Sequence, residues 1–155
     1  MKITKTLALA TLAIAITSAS VPAASADPAV MATIQQFING FNRGDTKAML
    51  ATCATEASVI DDFPPHEWQG AAACADWYAA YTATNEKEGI TNGIVTVGKP
   101  WYQSVSGNRA YIVLPATFAF KQHGKPVTES NAVFTVTLRK SATSWRITGW
   151  AWSDH

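Results

Sequence analysis

Asp61 is the side chain in this sequence best placed to do chemistry. It ends a short apolar run, Ala57 to Ile60, and the chain then turns through Phe63, Pro64 and Pro65. A carboxylate delivered by an apolar strand to the mouth of a helix-walled cavity sheds hydration. That raises its pKa toward the range in which a general base works at neutral pH. The plainer alternative is that Asp61 accepts backbone hydrogen bonds in the following turn, as acidic residues at strand ends commonly do. Asp62 points the other way if the two-residue period of the strand persists, so it is expected in solvent. His66 and Glu67 are close enough in the loop to approach the cavity mouth, but a surface loop is the expected home of both. The three histidines, His66, His123 and His155, are scattered, and no HxxxH or CxxC spacing occurs. No metal and no other cofactor is expected.

The elements that must position Asp61 are legible from period and punctuation. Asp27-Pro28 offers a helix cap with proline in the first turn, and Val30, Ile34, Phe37, Ile38 and Phe41 then recur at helical spacing, predicting a first helix that ends near Arg43-Gly44. Asp45 can cap a short second helix running through Thr52. Ala57 to Ile60 reads as a short strand stopped by the prolines. From Gly70 to about Asn85 the alanine-rich composition predicts a third helix, with Cys74, Trp77, Tyr78 and Tyr81 in one stripe. The period then changes to two, and strands are predicted over Ile90–Tyr102, Arg109–Phe120, Val127–Arg139 and Trp145–Ser153. The turns between them suit an antiparallel meander. Ile112, Leu114, Ala116, Phe118 and Phe120 share one face, as do Ala132, Phe134, Val136 and Leu138. Pro115 implies a bulge or an edge, the device by which a sheet bends round a cavity. Three helices gathered on one face of a bent sheet make an α+β domain.

Residues 1–26 read as a secretory leader: Lys2 and Lys5, an apolar run from Leu7 to Ile16, and the small residues Ala24-Ser25-Ala26. The run is too short to cross a bilayer. Residues 27–155 are then one domain, expected to be secreted or periplasmic. Without the leader, ten basic residues face eleven acidic ones with no basic block, so neither nucleic acid nor an anionic membrane is an expected partner. Cys53 and Cys74 leave two readings open, a disulfide or two small buried apolar residues. Of the six tryptophans, Trp150 and Trp152 share a predicted strand face with Arg146 and Thr148, which makes them candidates for a dimer interface. If the strand is inverted, they fill the core instead.

Four fragments, in this order and spacing, resemble the nuclear transport factor 2-like superfamily and within it the ketosteroid isomerase and SnoaL-like branch. They are Phe41-Asn42-Arg43-Gly44-Asp45, Ala57-Ser58-Val59-Ile60-Asp61, Gly70 through Trp77-Tyr78, and Ser144-Trp145-Arg146-Ile147. The resemblance implies a cystatin-like cone with a deep pocket, frequently a homodimer packed through the sheet. It also implies that Asp61 falls on the isomerase base and Tyr78 on a helix tyrosine supporting the oxyanion network. The main oxyanion tyrosine is matched by Phe37, and the protonated acid of the penultimate strand by Ser130, Ala132 or Phe134. Loss of one oxyanion donor typically costs about two to three orders of magnitude in turnover, so the usual steroid isomerisation is not expected.

Two functions follow as expectations. The first is a binding domain whose pocket, lined by Phe37, Trp77, Tyr78, Tyr81, Phe118 and Phe134, holds a small apolar or amphipathic molecule. The second is an isomerase, hydrolase or dehydratase in which Asp61 removes a proton and Tyr78 stabilises the resulting oxygen charge.

Overall fold

The computed structural model describes residues 27–154, so the expected leader at residues 1–26 lies outside the described residues. Helix α1 (Pro28–Asn42) begins where Asp27 accepts the Ala29 N–H at 2.9 Å, with proline in its first turn. Its buried stripe is Val30, Ile34, Phe37 and Ile38. Asp45 caps α2 (Thr46–Leu50), two residues shorter than expected, by accepting from the Ala48 N–H at 3.0 Å. The two helices cross at Gly40, where an added Cβ would meet the Met49 backbone nitrogen at 2.7 Å. Only a residue without a side chain allows that approach.

Strand β1 (Cys53–Ile60) starts four residues earlier than the apolar run alone marks. The segment expected as a surface loop forms a hairpin instead, with β2 (Glu67–Gly70) antiparallel to β1. Helix α3 (Ala73–Glu88) therefore starts three residues late, ending at Gly89 in the left-handed region. A disulfide joins Cys53 at the start of β1 to Cys74 in the first turn of α3, which closes the question the sequence left open.

The predicted strand over Ile90–Tyr102 is two strands, β3 (Ile90–Val97) and β4 (Tyr102–Ser106). Both pair with the same edge of β5 (Arg109–Gln122), β3 along its second half and β4 along its first. Pro115 sits at the junction, accepting the Gly98 N–H at 2.9 Å but offering no N–H in return. Strands β6 (Lys125–Lys140) and β7 (Trp145–Ser153) complete the meander. The sheet order is β2-β1-β7-β6-β5-β3, with β4 also on β5, and β1 beside β7 is its parallel pair. Asn42 ties α1 to the outer edge of β3, donating to the Val95 carbonyl and accepting the Val95 N–H, both at 2.8 Å.

Besides a register shift in β1 between Cys53 and Ser58, three bulges, in β3, β6 and β7, bend the sheet and decide which side chains face the helices. In β3, Asn92 and Gly93 oppose the single residue Phe120. In β6, Ser130 and Asn131 oppose Thr117. In β7, Thr148 is the extra residue between Ile147, opposite Leu138, and Gly149, opposite Thr137. Side chains alternate with a period of two, so one inserted residue moves every later side chain to the opposite face. Trp145 and Ile147 face the helices before the bulge, and Trp150 and Trp152 face them after it. The expected dimer-interface role of these two tryptophans is thereby overturned. Trp150 is 5% exposed and its ring packs 4.9 Å from Phe37 and 5.0 Å from Trp77.

Candidate functional site

Between α1, α3 and the concave face of the sheet lies a cavity of about 170 Å³. Helix α1 contributes Phe37, Ile38 and Phe41, and α3 contributes Trp77, Tyr81, Thr84, Asn85 and Glu88. The sheet adds Val95, Phe118, Phe120, Glu129, Phe134, Trp150 and Trp152, while Asp61, Asp62 and Phe63 enter from the turn after β1. The rings support one another: Phe41 lies 5.0 Å from Tyr81, Phe118 4.8 Å from Phe120, and Phe134 6.1 Å from Trp152. Such pairs are each worth about 0.5–1.5 kcal/mol beyond their buried area, which keeps the wall stiff while the space inside stays open.

Asp61 is 8% exposed and its carboxyl is held from two sides. Oδ2 accepts the Trp77 indole N–H at 2.6 Å, and Oδ1 accepts the Asp62 backbone N–H at 2.8 Å. Its own backbone is fixed by His66: the Asp61 N–H donates to the His66 carbonyl, and the His66 Nδ1 side donates to the Asp61 carbonyl, both at 3.1 Å. Burial pushes the Asp61 carboxyl up to about 7 although the Trp77 and Asp62 hydrogen bonds favour its charged form. Asp61 thus accepts a turn hydrogen bond and at the same time lines the cavity.

The structure brings Phe37, Trp77, Tyr81, Phe118 and Phe134 to the cavity wall with Asp61. Tyr78 is not part of that wall. Its half-buried ring packs 6.5 Å edge-on to Phe41 and 6.1 Å from Tyr81, one step round α3 from the cavity stripe. The hydroxyl on the wall is that of Tyr81, near Gly93 and Phe118. Burial raises the Tyr81 phenol to about 12, partly offset by its hydrogen bond with Asn85, so it remains a proton-bearing group at neutral pH. The glycine of the β3 bulge makes room for it, since a Cβ at Gly93 would lie 2.8 Å from the Tyr81 hydroxyl and 2.7 Å from the Phe118 ring.

Among the lining residues that sequence reasoning missed, Glu129 is the one that brings a carboxyl in from the sheet. The β6 bulge turns it inward, out of phase with Ala132 and Phe134. Burial first, then the charges of Asp154 and Asp62, push its carboxyl up to about 7. A signal was present in the sequence: Val127 is apolar at odd number while Ala132 and Phe134 are apolar at even number, a phase change that requires an insertion between them. None of the residues matched to the isomerase acid takes this place, and Ser130 is exposed within the bulge. Asp62 is solvent-exposed as its alternation implied, but it stands at the cavity rim, where desolvation raises its pKa. Among the described residues, no group of three or more His, Cys, Asp or Glu is arranged to hold a metal ion.

A sequence model of the SnoaL-like domain matches residues 30–153, all but the ends of the described domain. The chain belongs to the SnoaL-like domain family. No curated protein matches it. Among solved structures, the SnoaL-like chain is similar to a nuclear transport factor 2-like superfamily protein from Salmonella enterica, at a TM-score of 0.67 and 17% identity over 81% of this chain and 87% of the other. It is also similar to a protein with a cystatin-like fold from Novosphingobium aromaticivorans, at 0.65 and 15% over 82% and 80%. A ketosteroid isomerase-like protein from Erwinia carotovora gives 0.61 and 18% over 82% and 94%. At these identities the likeness establishes the fold alone, and leaves the chemistry to the residues themselves.

Proposed function

We propose that this SnoaL-like protein binds a small apolar or amphipathic molecule in its aromatic cavity and acts outside the cytoplasm, secreted or periplasmic. The observation that carries the binding reading is the cavity itself, walled by aromatic rings around a carboxyl held at fixed orientation. Concave, mostly apolar pockets with a few convergent polar groups are where proteins hold small ligands. Export is supported by the leader pattern in residues 1–26 and by the Cys53–Cys74 disulfide, a bond that persists in oxidising compartments. Among the described residues no helix is long and apolar enough to cross a membrane. Native mass spectrometry of the protein purified from its own secretion route tests the binding reading: a bound small molecule lost on Trp150→Asp supports it. A cavity that carries nothing and takes up no member of a fragment library removes it.

A second reading is acid–base catalysis with Asp61 as general base. What favours it is a carboxyl poised at about 7 on the same wall as the proton-bearing Tyr81 hydroxyl. Tyr81 takes the donor role that the sequence assigned to Tyr78. On this reading turnover rises as pH increases through about 7, Asp61→Asn abolishes it, and the variant still retains ligand.

We also propose a homodimer through the outer sheet face. Its support is the lateral row Ile60, Ala151, Thr135, Val113 and Tyr102, whose members are register partners across five strands. Exposed aromatics flank it, with Trp101 at 65%, Tyr102 at 57% and Tyr111 at 42%.

A further inference from the structure

The charges around the cavity are all of one sign. The turn after β1 supplies Asp61 and Asp62, β6 supplies Glu129, and α3 supplies Glu88 beside the uncharged Tyr81 phenol. Asp154, just beyond β7, acts electrostatically on both Asp62 and Glu129. The lining residues from α1, β3 and β5 carry no charge, and among the described residues no lysine, arginine or histidine lines the cavity. Carboxyl groups drawn together against an oily wall repel one another when ionised, and beyond the Trp77 indole N–H on Asp61 no cationic side chain among the described lining residues offsets the repulsion.

The interior offers the other half of a recognition chemistry. Phe37, Phe41, Trp77, Trp150 and Trp152 present ring faces and edges to the space, and a cation near an aromatic face is attracted by its quadrupole. An anionic ligand would add to the repulsion at the rim, and a neutral one would leave it unrelieved. A positively charged head relieves it, and an apolar body fills the space behind. The volume limits that body: an apolar cavity of roughly 150 Å³ accommodates benzene, and this one measures about 170 Å³.

We infer that the ligand is a hydrophobic organic cation of about one ring in size, its ammonium head held between Asp62 and Glu129 at the rim and its apolar body enclosed by the aromatic wall. The inference rests on the binding reading and narrows it. Proton linkage gives the pH response. Burial holds protons on Asp61 and Glu129 up to about pH 7, so a cation must displace protons below that pH and meets ready-made carboxylates above it. Affinity for an ammonium ion therefore rises between pH 6 and pH 8, a window in which a primary amine keeps its charge.

The test compares three probes of matched shape, phenethylammonium, phenethyl alcohol and phenylpropionate, by calorimetry on the mature chain with its disulfide intact. Expected is an order of ammonium, then alcohol, then carboxylate, with about tenfold preference for the first over the second at pH 8. That preference shrinks severalfold at pH 6 and again in the Glu129→Gln and Asp154→Asn variants, which lie at the half-exposed rim and leave the core intact. If the alcohol or the carboxylate binds as well as the ammonium ion, the cation inference is wrong and the binding reading stands. If none of the three binds, the cation inference is wrong, while the native mass spectrometry and fragment uptake decide the binding reading separately.

Discussion

Asp61 keeps its proton to about pH 7 because a buried carboxylate gives up more hydration than the Trp77 and Asp62 hydrogen bonds return. In the unfolded chain the same group titrates near its ordinary 3.8. Between those values the folded state binds a proton that the unfolded state has released, so stability falls as pH rises from about 4 to about 7 and is flat above. The Asp61 contribution to that loss is up to about 4 kcal/mol. Asp61→Asn should remove it, shrinking the difference in urea-unfolding free energy between pH 5 and pH 8 by about 2–3 kcal/mol relative to the parent. An unchanged difference would mean that the carboxyl is ionised in the folded protein. Glu129 shifts in the same direction but is half-exposed, where solvent screening reduces its effect on stability. Trp77→Phe tests the other side of the balance. Removing the indole donor should move the Asp61 titration upward, read by carbon NMR of the carboxyl, because a hydrogen bond to the charged form is lost.

The elements work as levers on the site through their irregularities. Thr148 is one residue, yet taking it up as a bulge is what keeps Trp150 and Trp152 on the same face as Trp145 and Ile147. Deleting it should give a regular β6–β7 ladder in which Gly149 stays opposite Thr137 and Trp150 opposite Val136, so both indoles still face the helices. The expected result is unshifted tryptophan emission with phenethylammonium binding retained. A red shift with loss of binding would show that the local twist of the bulge, and not the register alone, holds the indoles in place. The Cys53–Cys74 bond acts at the other end, tying the strand that delivers Asp61 to the helix that delivers Trp77. The bridged residues are 21 positions apart, and loop-closure entropy for that length corresponds to about 3 kcal/mol. Cys53→Ser with Cys74→Ser should lower the unfolding free energy by about that amount in guanidinium titrations, and dithiothreitol should have no further effect on the double variant. Helices α1 and α2 formed where capping and apolar spacing placed them, because Asp27 and Asp45 each satisfy a helix-end N–H locally. The β1–β2 hairpin was not legible, since its pairing depends on partners and not on the four residues Glu67 to Gly70 alone.

At the scale of the whole molecule, the concave side of the sheet is committed to the cavity and the convex side presents Tyr102 and Tyr111, 6.0 Å apart, beside Trp101. If a second copy covers that face, Tyr111→Glu places unpaired charge in the interface and should halve the mass seen in light scattering while the circular dichroism spectrum is retained. A parent protein already monomeric at high micromolar concentration would exclude the dimer. The sequence by itself determined the three helices and the main strands other than β2 and the β3–β4 break, the two helix caps, the apolar faces of β5 and α1, and the presence of a carboxyl at the end of the first strand. These depend on local spacing and on groups satisfied within a few residues. Only the tertiary structure decided that Tyr81 and not Tyr78 meets the cavity, that Glu129 turns inward and that Trp150 and Trp152 join the wall. The reason is geometric: a bulge reverses the facing of every later residue, and where it falls is set by how neighbouring strands must bend to enclose a space, which no single strand encodes.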